Sequence, residues 1–304
     1  MRRASEPPPG GEHSAIARWI QQAPAPPDVD VGPGDDCAWL DGLALSVDTV
    51  VQGVHFRLDW TEPEDAGWKA VSAALSDLAA SRARPSGALV SLSIAAHDLD
   101  PGGMADRYMA GVRQACDAFS CPVIGGDLVR TEGPTQLAVT VIGRGLGAPL
   151  LRSGASPGEL LQVSGPTGWA ALAVRQLNLG EAVVPPRAMA AHARPRARLD
   201  LLSALAPATA AIDISDGLLA DAAHLSAASG VQLWLDRAAC IDGGPEAELS
   251  LGGGEDYELL VTAQEPLPGF RTVGVVRAGE PALLWSDGTP VPLHGRGWDH
   301  GRNA

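Results

Sequence analysis

Lysine is nearly missing from this chain of 304 residues: Lys69 is the only one, and the other 21 of the 22 basic residues are arginines. A Walker-type phosphate loop needs its lysine inside Gly-Lys-Ser/Thr; Lys69 lies in AGWKAV, so that nucleotide-binding class is excluded. Lysine Schiff-base chemistry is disfavoured on the same ground. Positive charge is scarce altogether, 22 basic against 36 acidic residues giving a net charge of −14. Such a chain repels nucleic acid and anionic lipid unless one face is locally basic. The nearest basic cluster, Arg194, Arg196 and Arg198, is broken by Pro195, so no nucleic-acid partner is expected. The four cysteines form no C-x-x-C pair and the seven histidines do not stand at ligand spacing from them, which argues against structural zinc. No run approaches the ~18 consecutive apolar residues of a membrane-spanning helix, so no membrane association is expected. The opening MRRASEPPPGGEHS carries arginines without an apolar stretch behind them. Residues 1–10 therefore read as a flexible tail and not as a secretory signal, and reduced thiols in a cytoplasm are expected.

What remains is a core-forming composition, 45% hydrophobic and 19% charged, on a length suited to two domains. A helix is expected over His13–Gln22. Two strands, Cys37–Leu40 and Leu43–Val51, are joined by Asp41-Gly42, a hairpin signal. Residues 64–83 form the clearest helix. Trp68, Val71, Leu75 and Leu78 make an apolar stripe; the far side is small except for Asp77, so both sides should be covered. Then follow a strand Leu89–Ile94, a helix Gly103–Phe119, a short strand Pro122–Ile124 ending in Gly-Gly-Asp, and a strand Gln136–Gly143. The Gly/Pro-rich stretch 143–159 is the expected boundary between an N-terminal domain, 11–147, and a C-terminal one, 148–304. The second half repeats the mixture: strands at Leu160–Ser164, Ala211–Ile214, Val231–Leu235, Glu258–Thr262 and Thr272–Val276, and helices at Thr167–Asn178, Arg198–Leu205 and Leu218–Ala228 with Gly230 as C-cap. Alternating strands and helices in both halves make the class α/β, or α+β.

The informative feature is where the carboxylates sit. Asp35 and Asp36 lie in a Gly-bounded turn, Asp48 follows LALSV, Asp77 occupies the small face of a buried helix, Asp127 ends PVIGGD, Asp213 and Asp216 lie in AAIDISDGL, and Glu255 and Asp256 end a glycine run. Each is embedded in apolar or Gly-rich sequence. An unpaired buried carboxylate costs several kcal/mol or must be protonated. With so few cations nearby in sequence, a divalent metal is the simplest compensation. Oxygen donors without a His/Cys cluster select hard ions such as Mg²⁺, usually shared with substrate phosphates. The helix opened by Ser215 and Asp216 could also hold a phosphate. Taken singly, an Asp at a turn is more often a cap or turn former. His55 in GVHF reads first as a core or strand histidine, the eight tryptophans as core, and Cys37 as a small buried residue.

In order along the chain, GEHSAIAR (11–18), GDDCAWL (34–40), SVDTVVQGVHF (46–56), LSDLAA (75–80), IGGD (124–127), LRSGASPGE (151–159), IDISDGL (212–218), GGEDYEL (253–259) and GWDH (297–300) resemble the thiamine-monophosphate kinases of the aminoimidazole-ribonucleotide-synthetase-like superfamily. The resemblance implies ATP-dependent phosphorylation of thiamine monophosphate to thiamine diphosphate with several Mg²⁺ ions. It implies a two-domain fold whose N-terminal domains pair into a homodimer around a shared β-barrel. By matching position it makes Asp36, Ser46, Asp48, Asp77, Asp127, Asp213 and Asp216 metal ligands. Val47 replaces a usual hydroxyl residue and could ligate only through its carbonyl. Gly126, Asp127, Arg152 and Ser215 are implied as ATP contacts and His55, Glu255 and Trp298 as contacts to thiamine phosphate. Asp127, Asp216 and Arg152 are the residues implied at the reacting centre. Leu128 replaces a usual threonine, and the segment between SDGL and GGED is short for the family. The acceptor, a phosphate oxygen already ionised near neutral pH, needs no general base. Other readings are another synthetase of the same superfamily and a non-catalytic Mg²⁺/nucleotide-binding regulator. Hydrogenase-maturation members need a C-terminal cysteine where this chain reads GRNA, and selenophosphate synthetases need an N-terminal Cys or Sec and a Lys.

Overall fold

A computed structural model describes residues 28–292. The expected helix at His13–Gln22, the tail and Trp298 lie outside the described residues. The fold consists of two six-stranded sheets, each with helices against it, in keeping with the expected mixed α/β class. The first sheet contains β1 (Val29–Val31), β2 (Ala38–Leu40), β3 (Leu43–Val51), β4 (Ala83–Ile94), β5 (Val123–Arg130) and β6 (Gln136–Gly145) in the order β1-β2-β3-β6-β4-β5. The turn between β2 and β3 has positive φ at both Asp41 (54°) and Gly42 (73°), the two-residue geometry that matches strand twist. Nine residues of β3 pair in unbroken antiparallel register with β6, Ser46 opposite Val141 and Asp48 opposite Val139. Alternation puts Ala44 and Val50 in the core on the same face as Ser46 and Asp48, while Val47 and Thr49 face outward.

Helix α1 (Pro63–Ala80) covers that inner face, and α2 (Met104–Ala118) packs against α1. Gly67 and Gly111 let the two backbones touch: a Cβ on Gly111 would lie 1.8 Å from the Glu64 carbonyl oxygen. Fourteen of the eighteen α1 residues are buried, because its second side meets the other half of the molecule, as its small-residue face foretold.

The second sheet runs β12-β9-β11-β7-β10-β8, from β7 (Leu160–Val163), β8 (Ala210–Ile214), β9 (Gln232–Leu235), β10 (Glu258–Ala263), β11 (Arg271–Arg277) and β12 (Ala282–Trp285). Around it lie α3 (Trp169–Asn178), α4 (Pro186–Ala193), α5 (Leu218–Ser229) and the short α6 (Arg237–Ile241) and α7 (Ala247–Gly252). Period-two alternation divides β8 between two cores. Ala210, Ile212 and Ile214 pack with Leu218, Leu219 and Leu225 of α5, whereas Ala211 packs with Ala79 and Ala80 of α1. Asp213 therefore shares the face that looks toward α1.

Two expectations need correction. Arg198–Leu205 is not a helix; only Leu199–Leu201 forms a 3₁₀ turn, and turns follow. Pro195 and Pro207 bound the segment, and Leu201, Leu202 and Leu205 are buried from the turns themselves, so the apolar pattern is covered without a helix. The strand expected over Pro122–Ile124 instead runs through Gly-Gly-Asp to Arg130. Its parallel pairing with the long β4 carries it on, and a side chain at 126 would meet the Val90 carbonyl at 1.9 Å. Glycine there permits close approach and does not break the strand.

Candidate functional site

Where the two halves meet, a cavity of about 570 Å³ opens between β3, α1 and the ends of β8 and β10. Its size is that of a small-molecule site. One end is acidic. Asp48 enters from β3, Asp77 from α1, Asp213 from β8 and Asp216 from the turn before α5. Beside them Asp36, Asp77 and Asp213 bring carboxylate oxygens within 4.8 Å of one another.

Three such groups deprive one another of charge. Burial, then Asp36, push Asp213 up to about 8 despite Arg152 nearby. Burial, then Asp213 and Asp48, drive Asp77 well above the ordinary carboxylate value. Asp36 is also raised by its burial, although it accepts from Arg152 Nε (3.0 Å) and Nη2 (2.6 Å) on Oδ1. Its Oδ2 is buried with no hydrogen-bond partner among the described residues. Ser46 Oγ donates to Asp77 Oδ2. An orphaned carboxylate oxygen facing two more carboxylates, with a hydroxyl alongside, is the all-oxygen donor set of a hard divalent cation.

Asp35 accepts the Arg152 backbone N–H at 3.1 Å through Oδ2, and burial with the Asp36 charge raises it to about 6. Ser215 lines the cavity, and its carbonyl accepts the Glu255 N–H at 2.7 Å. A second cluster, Asp216, Asp221 and His224, adjoins the first. Asp221 accepts the backbone N–H groups of Asp216 and Gly217 at 3.1 Å, which fixes the turn that carries Asp216.

The opposite end contains His55, Trp60, His192 and Glu255. His55 Nδ1 accepts the Val51 N–H at 3.1 Å, closing the turn after β3. Glu255 sits at φ 64°, an uncommon conformation for a non-glycine residue, pinned by the Ser215 carbonyl. Beneath it lies Lys69, whose Nζ is 2.8 Å from Glu255 Oε2, 2.9 Å from the His55 carbonyl and 3.4 Å from His192 Nδ1.

The structure thus gathers Asp36, Ser46, Asp48, Asp77, Arg152, Asp213, Ser215 and Asp216 at one end and His55 with Glu255 at the other. It does not bring in Gly126 and Asp127. Both are exposed on β5, the edge strand three positions from β3. The Val47 side chain points outward at 62% exposure. Sequence reasoning passed over Lys69, although 69, 73 and 77 recur at four-residue spacing and Lys69, Ala73 and Asp77 hence share a helix face. His192, in an alanine-rich helix, had no such signal.

Residues 34–145 match the family described as AIR synthase related protein, N-terminal domain. Over 95% of its length the chain is 34% identical to the thiamine-monophosphate kinase of Salmonella typhimurium, covering 98% of that protein. It is 36% identical to the enzyme of that name from Mycobacterium tuberculosis, with 91% of this chain and 88% of that one aligned. Among solved structures, AaThiL complexed with AMPPCP and TMP superposes with a TM-score of 0.84 at 31% identity, over 99% of both chains. Hydrogenase maturation protein HypE, 17% identical with a TM-score of 0.67 over 89% of this chain and 95% of that one, shares the fold.

The Lys69–Glu255 pair yields a stability prediction. Burial alone would raise the Glu255 carboxyl, but the Lys69 charge beside it outweighs this and holds the value at about 2. Because that lies below the ordinary 4.5, the pair stabilises the fold above pH 4.5 and loses this effect as pH falls toward 2. Lys69→Met should cost ~1–3 kcal/mol at neutral pH by leaving the partly buried Glu255 carboxylate without its partner. The deficit should shrink between pH 4.5 and 2, as read by chemical denaturation of both proteins; a deficit independent of pH would contradict the pairing.

Proposed function

The chain belongs to the thiamine-monophosphate kinases, and on that premise we propose how its own residues carry out the ATP-dependent phosphorylation of thiamine monophosphate to thiamine diphosphate. The carrying observation is the convergence of Asp36, Asp77 and Asp213, with Arg152, beside a cavity that His55, Trp60, His192 and Glu255 also line. Magnesium ions fit the acidic end: Asp36, Ser46, Asp48, Asp77, Asp213 and Asp216 would hold them, with the Val47 carbonyl and Asp127 as further ligands. Bound there, Mg²⁺ supplies neutralisation of the charge on the transferring phosphoryl group. The assignment of Asp127 as a ligand, and of Gly126 with it as ATP contacts, rests on the family resemblance, since both lie on the exposed edge strand.

The chain's own contribution is alignment. Arg152 and Ser215 orient the ATP phosphates, with Arg152 fixed by its two bonds to Asp36. His55, Glu255 and Trp298 hold thiamine monophosphate so that its phosphate points at the acidic end. An ionised oxygen of that phosphate bonds to the γ-phosphorus while the bond to the β–γ bridging oxygen breaks, and ADP leaves with that oxygen. No group has to take a proton, so the acidic end is needed for charge neutralisation and alignment and not as a base.

Among the described residues no helix is long and apolar enough to cross a membrane, and we assign the enzyme to the cytoplasm, where cell fractionation should recover it. We further propose a homodimer formed through the N-terminal half. Val47 and Leu89 lie opposite one another across Thr140 on the sheet face away from α1, and with Val129 they are 62%, 38% and 44% exposed. Beyond them β5 is an open edge, a liability unless covered. Sedimentation should show a dimer that Val47→Glu dissociates; a wild-type monomer at micromolar concentration would rule the pairing out.

With ATP and Mg²⁺, the purified protein should convert thiamine monophosphate and leave free thiamine nearly untouched. Efficient use of thiamine itself would overturn the assignment. Asp77→Asn keeps the shape and removes one charge, so turnover should fall by on the order of 10²-fold or more. In metal-free buffer the same variant should melt no lower than wild type, because a desolvated carboxylate without a cation is a liability. A lower melting temperature with normal turnover would assign Asp77 a structural role instead.

A further inference from the structure

The single lysine of the chain is spent inside the fold. Lys69 is 1% exposed, and all three ammonium hydrogens have acceptors: the His55 carbonyl, His192 Nδ1 and Glu255 Oε2. An ammonium can only donate, so the His192 ring nitrogen beside it must accept. Burial pushes His192 below the usual imidazole value, and although Glu255 opposes this, the Lys69 charge reinforces it. The imidazole is therefore neutral and leaves Glu255 to Lys69, since His192 Nδ1 stands 3.7 Å from the carboxylate, beyond hydrogen-bond reach.

Both contacts to the carboxylate go to Oε2. Glu255 nevertheless lines the cavity with its side chain 26% exposed, and the contacts among the described residues leave Oε1 available to a ligand. Opposite charges at 2.8 Å make the pair neutral as a unit, so it offers no net charge to attract a cationic ring. What it offers is a fixed, ionised hydrogen-bond acceptor. On thiamine monophosphate with its phosphate ionised, the thiazolium has no N–H, and the amino group of the pyrimidine is the only N–H donor.

Resting on the functional reading above, we propose that Lys69 is a positioning residue for acceptor specificity: it locks Glu255 Oε2 so that Oε1 accepts from the amino group of the pyrimidine. The device shares its frame with the phosphate end. Lys69 and Asp77 stand eight residues apart on one face of α1, about 12 Å at 1.5 Å per residue. Glu255 N–H and Tyr257 N–H bond the carbonyls of Ser215 and Ile214, flanking residues of the strand end that carries Asp213. One helix and one strand thus set the separation between the amino-group acceptor and the carboxylate cluster, and a substrate held at Oε1 is placed along the same axis as the phosphates.

The test compares thiamine monophosphate with the analogue in which the pyrimidine amino group is replaced by hydrogen, using the full-length protein. Wild type should favour the amino compound by ~10²-fold or more in kcat/KM, since the analogue has no N–H left to give the carboxylate. Glu255→Gln and Lys69→Met should each cut that preference by ~10-fold or more, chiefly through KM for the acceptor, with KM for ATP within about twofold of wild type. Lys69→Arg, which keeps the charge but not the compact three-way donor, should fall between wild type and Lys69→Met. A wild type that uses both acceptors equally well overturns the inference while leaving the kinase assignment intact, and needs no variant to fold. Unchanged discrimination in folded Lys69→Met overturns it too, as does a rise confined to KM for ATP, which would place adenine at Glu255. Failure of wild type to use either acceptor refutes the kinase assignment itself.

Discussion

Three carboxylates whose oxygens lie within 4.8 Å, one of them with an oxygen that no described residue satisfies, set the constraint around which this molecule is built. Their mutual repulsion is local, but the elements that supply them are far apart in sequence. Asp36 comes from a turn at the start of the first sheet, Asp77 from α1, Asp213 from the second sheet. Bringing them together requires the two sheets to face each other across α1. That arrangement explains why α1 is buried on both sides and built from alanine, serine and glycine around its charged positions. Among the described residues Arg152 is the one cation hydrogen-bonded to the cluster, through two of its five N–H groups to Asp36. The remaining negative charge is what the proposed Mg²⁺ ions would neutralise.

The joint between the halves is correspondingly polar as well as apolar. Ala79 and Ala80 pack with Leu205, Ala211 and Leu259, while Trp68 Nε1 and Ser72 Oγ both donate to the Pro195 carbonyl at 2.8 and 2.9 Å. Ser72 also accepts the Ala197 N–H. These bonds hold the 195–197 segment against α1. Neighbouring α4 presents His192 to Lys69. The position of the acceptor end is thus coupled to the same helix that places Asp77, and neither end can shift alone without breaking buried hydrogen bonds.

Much of this was legible in the sequence for a reason that is physical. A carboxylate in apolar or glycine-rich surroundings is costly, so Asp48, Asp77 and Asp213 announced a compensating ligand before their convergence could be seen. The hairpin at Asp41-Gly42 and the two-sided burial of α1 were equally local signals. What could not be read was tertiary. Strand β5 continues through two glycines because β4 offers a long partner edge, which no local propensity records. Arg198–Leu205 has a helical apolar pattern that the turns cover without a helix. His192 gains its place from the packing of α4, whereas Lys69 carried a usable signal, a charge in phase with Asp77, that was read only for what it excluded.

On the proposed function the acidic cluster is a cation site, and the protein is less stable when the cation is stripped from it. The most direct measurement is thermal melting of the wild-type chain near neutral pH, first in chelator and then across a Mg²⁺ titration without nucleotide. A melting temperature that rises saturably with Mg²⁺, and is not reproduced by sodium at equal ionic strength, is the predicted result. A melting temperature indifferent to chelator and to millimolar Mg²⁺ would contradict it.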